Sequence, residues 1–292
     1  MSTKKAPHGP KNPKKMSKAA KQRPERAQHG APQMRREAFR PPHGHYFLWG
    51  HHALQAALAN PRRKVKQLYA TAEAEEALTT LIDELPATRQ SALPVVKRIE
   101  KSRLDMIEAE GGKVIHQGMV AAVAPLDTPL LSEVLDDLDP DKPVRFMMLD
   151  QLSDPRNIGA ILRSARAFGI AALILQDRHA PDETGALART SVGAIEDVPM
   201  IRVVNLARAC EALKEAGFYL AGLDMGGNTS HERAATAERL TLIMGSEGKG
   251  LRRLTSEACD EIVAIRMAEN SESLNVSVAA AIIMHQTQYE AS

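Results

Sequence analysis

The chain has 292 residues, 43% of them hydrophobic, and a formal net charge of +2. That is enough apolar material for two ordinary domain cores, while no run approaches the roughly 18 consecutive apolar residues of a membrane span. Cys210 and Cys259 stand far apart in sequence with no Cys or His at ligand spacing, which argues against a disulfide framework or a zinc site and suits two small buried hydrophobes.

The small net charge conceals a division. Residues 1–42 hold twelve Lys or Arg against Glu25 and Glu37, a local balance of +10 that leaves −8 on the remainder. With seven prolines and few large apolar residues, 1–43 reads as a disordered basic tail that can meet phosphates without sequence preference. A tail that only aids solubility is the plainer alternative; a transit peptide is disfavoured, because its helix would be broken by proline. The Lys-rich start has no apolar segment of the secretory kind, so the expected location is cytoplasmic.

Taken in chain order, 49–60 reads as a helix, 65–70 as a strand, 73–85 as a helix, 93–96 as a strand, 101–110 as a helix and 119–124 as an apolar strand. These make a first domain at 44–125. Residues 126–143 carry prolines and five acids between Glu133 and Asp141, a linker composition around one short amphipathic turn. From 144 to 292 strands at 144–149, 171–175, 218–223, 240–244 and 262–265 alternate with helices at 158–168, 206–216 and 274–288. That alternation predicts α/β architecture with a mostly parallel sheet, whose ligand lies beyond the carboxyl ends of the strands.

Three loops sit at those ends. The first, after Leu149, holds Asp154, Pro155 and Asn157, with Asn157 expected to cap a helix that carries Arg163 and Arg166; Arg163 can face either the strand ends or solvent. The second is Gly245-Ser246-Glu247-Gly248-Lys249-Gly250. It is not a phosphate loop, since Gly250 and Leu251 follow Lys249 where Ser or Thr is required, and Glu247 would repel phosphate. Its glycines let a ligand approach the backbone while Glu247 accepts a hydrogen bond. The third runs from Ile265 to Ser277, with Ser273 placed to cap the last helix. Each loop alone also reads as an ordinary turn. His43, His45, His51 and His52 lack an acid or Cys to complete a metal site, so no metal is expected, and His116 reads as a binding contact or a capped turn rather than a catalyst.

The phrases Asn157-Ile158-Gly159-Ala160-Ile161-Leu162-Arg163-Ser164-Ala165, Met244-Gly245-Ser246-Glu247-Gly248-Lys249-Gly250-Leu251 and Ser273-Leu274-Asn275-Val276-Ser277-Val278-Ala279 resemble, in order and spacing, the three signature motifs of the SpoU (TrmH) branch of SPOUT RNA methyltransferases. Trp49-Gly50-His51-His52-Ala53-Leu54 and His116-Gln117-Gly118 resemble the small L30e-like RNA-binding domain of the bacterial 23S rRNA guanosine 2'-O-methyltransferases. The resemblance covers everything from about residue 45 onward.

It implies a C-terminal SPOUT α/β-knot domain, with a trefoil knot and mostly parallel sheet, behind a smaller N-terminal L30e-like α/β domain. It implies S-adenosylmethionine as cofactor, a homodimer, RNA rather than DNA as partner, and methylation of a ribose 2'-hydroxyl in a 23S rRNA guanosine. Alternatives are the same chemistry on tRNA or another rRNA nucleotide, or a non-catalytic RNA-binding protein of ribosome assembly. By the same resemblance Arg163, Asn157, Glu247, Ser273 and Asn275 are catalytic candidates, and Gly245, Ile265, Leu274, Met244 and Met267 hold the cofactor. Arg163 is expected to act as an electrostatic activator, because a guanidinium is effectively never deprotonated. Two departures stand out: Arg266 replaces a proline that would stiffen the chain, and Glu269-Asn270-Ser271-Glu272 adds carboxylates that would oppose phosphates.

Overall fold

The computed structural model describes residues 38–109, 112–178, 180–246, 248–268 and 273–288. The expected disordered tail therefore lies outside the described residues up to 37, as do Glu247 and Glu269 to Glu272.

The N-terminal part runs β1 (Tyr46–Trp49), α1 (His51–Ala59), β2 (Val65–Ala70), α2 (Glu75–Asp83), α3 (Ala87–Ser91), β3 (Val96–Arg98), α4 (Lys101–Leu104), β4 (Glu108–Ala109), β5 (Gly112–Lys113) and β6 (Met119–Val123). Its main sheet has the order β1-β6-β2-β3, antiparallel except for the β2–β3 pair. The helix expected at 101–110 stops after one turn, and Glu108–Ala109 pairs with Gly112–Lys113 as a short hairpin. Glycine at positions 111 and 112 favours that turn over helix, and Gly112 takes a φ of 106°.

Next come α5 (Leu131–Asp136), β7 (Val144–Leu149), α6 (Pro155–Ala167), β8 (Ala172–Gln176), α7 (Gly185–Thr190), β9 (Met200–Val203), α8 (Leu206–Glu215), β10 (Tyr219–Asn228), α9 (Glu232–Thr236), β11 (Arg239–Met244), α10 (Arg253–Ala258), β12 (Glu261–Val263) and α11 (Val276–Gln286). The six strands lie in the order β12-β10-β11-β7-β8-β9 with every neighbouring pair parallel. The chain moves outward from β7 through β8 to β9, then returns to build the other half. The switch point falls between β7 and β11, and a cavity opens beside it, at β10, β11 and β12.

Pleating distributes the core. Met147, Leu149, Leu173, Leu175, Leu242 and Met244 face α6 and α11, while Phe146, Met148, Ile174, Leu220 and Ile243 face α8. Cys210 belongs to the second face with its thiol against Met148, and burial pushes that thiol up to about 11. Cys259 is only half-buried, yet burial again pushes its thiol up to about 12.

The two sheets are locked together through charge. Arg63 is buried, its guanidinium bridging Glu196 (Nη2 to Oε1, 2.7 Å) and Glu183 while Nη1 donates to the Ala124 carbonyl (2.7 Å). The Tyr46 hydroxyl donates to Glu183 at 2.6 Å; burial first, and the Glu183 charge second, hold that phenol well above its ordinary value, so it remains a donor. Both carboxylates are almost fully buried, so neither partner can turn to water if the pair breaks. Glu196→Ala should therefore cost about 3–5 kcal/mol in urea unfolding, whereas Arg63→Met combined with Glu196→Leu and Glu183→Gln, which leaves no buried charge behind, should recover most of it. A loss under about 1 kcal/mol for Glu196→Ala would show that water reaches Arg63.

Candidate functional site

The last residue before the first loop, Asp150, is fully buried. Its backbone amide donates to the Met244 carbonyl at 2.7 Å, coupling the ends of β7 and β11. Its carboxylate accepts from Arg252 twice, from Nε at 2.6 Å and from the backbone amide at 3.0 Å. A buried carboxylate needs such a partner, so the segment after β11 is pinned over the end of β7.

Within that segment Ser246 and Gly250 form a one-residue antiparallel bridge, and the Gly250 amide donates to the Ser246 carbonyl at 3.0 Å. A side chain on Gly245 would put its Cβ 2.1 Å from the Gly250 carbonyl, which is why glycine stands there. On the far side, β10 continues past Leu223 to Asn228, whose carbonyl receives the Ala264 amide at 2.7 Å and so positions the start of the third loop.

Between these segments lies a cavity of about 550 Å³, within the range of small-molecule sites. Leu223, Met244, Val263 and Val276 give it an apolar floor, and Asp224, Ser246, Lys249 and Ser273 a polar rim. The expected cofactor residues Met244, Gly245, Ile265, Met267 and Leu274 all line it, as does Ser273. At its edge, between Leu274 and Val276, Asn275 donates from Nδ2 to Oδ1 of Asn157 at 3.3 Å. That contact joins the first and third loops across 118 residues of sequence.

Two capping expectations are corrected. Asp154, not Asn157, caps α6, accepting from the Arg156 amide at 2.9 Å with Pro155 at the first helical position, where its missing N–H costs nothing. Asn275, not Ser273, caps α11 and accepts from the Ser277 amide at 2.9 Å; two residues of extra chain leave Ser273 free to line the cavity. Arg163 is exposed on α6, in a stripe with Arg156, Ala160 and Ala167, and is not among the residues lining the cavity. Glu247 lies outside the described residues. Sequence reading missed Asp150 and Arg252: an acid closing an apolar strand is a faint signal, and a partner 102 residues away gives none.

Residues 145–285 match the model of the SpoU rRNA Methylase family, and residues 47–129 match that of the RNA 2'-O ribose methyltransferase substrate-binding domain. A Staphylococcus aureus protein provisionally named a TrmH family tRNA/rRNA methyltransferase is 35% identical over 206 residues, 70% of this chain and 82% of its own length. The chain belongs to the SpoU/TrmH family. A Synechocystis protein of the family, named an uncharacterised tRNA/rRNA methyltransferase, is 36% identical over 82% of this chain and 61% of its own length. The chain thus spans less than two thirds of that relative, and 66% of mycobacterial ones.

Among solved structures, the SpoU methyltransferase AviRb of Streptomyces viridochromogenes, in complex with AdoMet, superposes with a TM-score of 0.66 at 24% identity, covering 84% of this chain and 89% of its own. An AdoMet-bound rRNA methyltransferase from Sinorhizobium meliloti gives 0.65 at 20% identity, over 84% and 87%. The expected fold class, a SPOUT α/β domain with a parallel sheet behind a smaller N-terminal α/β domain, is therefore the observed one. Within this family fold, Arg252→Ala should destabilise the chain by about 3 kcal/mol in urea, because the buried Asp150 carboxylate loses its side-chain partner. It should also raise amide exchange across 245–252; unchanged exchange there would mean that the pair does not hold the loop.

Proposed function

We propose that this chain is an S-adenosylmethionine-dependent RNA methyltransferase that methylates a ribose 2'-hydroxyl, that of a guanosine in 23S rRNA. The observation that carries this reading is the convergence of the second and third loops on one cavity at the carboxyl edge of the sheet, tied to the first loop by the Asn157–Asn275 hydrogen bond. The cavity fits the cofactor: its apolar floor suits a flat base, and Gly245, Ile265 and Leu274 offer backbone to polar groups. Residues 44–125 are the domain that grips the RNA, 126–143 the linker and 144–292 the catalytic domain; the matched substrate-binding model at 47–129 supports that division.

When bound, the donor supplies a methyl on a positively charged sulfonium, already a good electrophile. The chain's own residues must ready the nucleophile, since a ribose hydroxyl does not ionise at neutral pH. Asn157 and Asn275 orient it, and Ser273 completes the polar wall. Arg163 grips the adjoining phosphate and stabilises negative charge as it develops on the 2'-oxygen. The bound donor would supply the methyl group in exchange for the hydroxyl proton, which the open polar rim would pass to solvent. Because Arg163 does not line the cavity of its own chain, it serves this role across a homodimer, in the cavity of a second copy.

Purified protein given methyl-labelled donor and either rRNA or tRNA should yield 2'-O-methylguanosine from rRNA on nuclease digestion and mass spectrometry. If neither RNA is labelled, the reading falls. Arg163→Ala should lower turnover about 10²- to 10³-fold; near wild-type turnover for Arg163→Lys would remove the need for a bidentate fork. Gly245→Ala should weaken donor binding at least about tenfold in calorimetry, since the loop must move to admit the methyl group. At donor concentrations too low to saturate Gly245→Ala, mixing the two impaired variants should raise activity above either alone, because one cavity of the mixed dimer then has both groups intact.

A further inference from the structure

A second concavity lies where the two domains meet, away from the donor cavity. It encloses about 270 Å³ between the start of α1, the loop before β6 and the end of α7. His51, His52, Ile115, Gln117, Arg189 and Val192 supply its side chains, and no acidic residue lines it.

Several observations mark this notch as built. Among the described residues only three that are not glycine hold a positive φ, and two of them, Gln117 (51°) and Val192 (52°), sit here. For a β-branched residue such as Val192 the left-handed region is strained, and strain of this kind persists only where the surroundings impose it. The surroundings are rigid. His116 is buried, takes the Gly118 amide on Nδ1 at 3.0 Å and meets Asp105 through Nε2 at 3.3 Å, so it is the anchor of a turn that throws Ile115 and Gln117 outward. Gly193 follows Val192 so closely against α1 that a Cβ there would lie 2.5 Å from Ala56 and 3.2 Å from the His52 carbonyl.

The exposed groups have one chemistry in common. His51 and His52 present flat rings set edge to face at 5.4 Å, and Ile115 adds an apolar surface that is 58% exposed. Gln117 brings an amide, and the exposed Arg189 guanidinium has no ion-pair or hydrogen-bond partner among the described residues. Flat rings and an aliphatic wall take the face of a base, an amide reads its edge, and an unpaired cation takes the phosphate. A duplex keeps its bases stacked and cannot offer a face.

We propose that this notch is a subsite for one unstacked nucleotide of the RNA substrate, its base against His51, His52 and Ile115 and its phosphate on Arg189. The proposal rests on the RNA-methyltransferase reading and specifies the substrate further: an RNA with an unpaired nucleotide at a fixed distance from the target ribose, fixed because Arg63 locks the domains together.

The test uses the full chain and a fluorescent single-stranded 12-nucleotide RNA carrying 4-thiouridine, alone and annealed to its complement. Photo-crosslinks should map to peptides holding 51–52 or 115–117. Arg189→Ala should weaken single-strand binding about tenfold and flatten the slope of log Kd against log salt by about 0.7, the share of one phosphate contact, while Arg189→Lys keeps the slope. His52→Ala should weaken binding about fivefold with the slope unchanged, because stacking carries no counterion. Melting temperatures should stay at the wild-type value. Variants that bind like wild type, crosslinks confined elsewhere, a duplex bound as tightly as the single strand, or no binding of the oligonucleotide would each overturn the proposal. Methylation of total RNA by the wild-type chain, run in parallel, separates the failures. Label transfer with an indifferent notch sinks only the subsite, whereas a working notch without label transfer sinks the catalytic reading.

Discussion

The arrangement of the cavity depends on a carboxylate that cannot be left alone. Asp150 is sealed from water at the end of the central strand, and its charge is met by the Arg252 side chain and backbone together. Lifting the segment after β11 would strand that charge in a low-dielectric interior, at a cost of several kcal/mol. The segment is therefore held down, with Gly245 pressed against Gly250 and its backbone facing the cavity. Two further ties, Ala264 to the Asn228 carbonyl and Asn275 to Asn157, bring the third loop to the same edge. Each tie joins parts of the chain distant in sequence, so the site exists only once the sheet has formed.

The same logic applies between the domains. Arg63 with Glu183, Glu196 and Tyr46 is a polar knot in the seam, joined there by Asn60 and Arg62, and beside it α7 presses on β1 so closely that a Cβ on Gly185 would overlap Trp49. Buried ion pairs add little net stability over a well-packed apolar contact, but they are intolerant of sliding, because any shift leaves a charge unmatched. The N-terminal domain is consequently a fixed platform relative to the cavity at the sheet edge. On the proposed reading that rigidity makes distance from the platform part of recognition.

Much of this was legible in the sequence where one physical signal dominated. The longer runs at 144–149 and 240–244 gave strands to within a residue even with Arg145 and Thr241 inside them, because their remaining side chains are the apolar ones that a buried parallel strand favours. Short elements escaped. Helices α7, α9 and α10 have only five or six residues each, too few for a period to show, and β9 (Met-Ile-Arg-Val) has an arginine that breaks its apolar run. The caps of α6 and α11 were misplaced because Asp154, Asn157, Ser273 and Asn275 all suit the position, and only the backbone decides among them. The cavity's lining was reached through motif resemblance, which compresses three-dimensional proximity into sequence order. The supports behind it, Asp150–Arg252 and Arg63–Glu196, are pairings across 102 and 133 residues that no single sequence discloses.

The most direct measurement is amide hydrogen exchange of the full chain with and without S-adenosylmethionine. If the cavity at the sheet edge holds the donor, protection should rise in 244–251 and 264–276 and stay unchanged over 46–123. Unchanged exchange at the sheet edge under saturating donor, or protection confined to the N-terminal domain, would contradict the placement of the donor and the chemistry built on it.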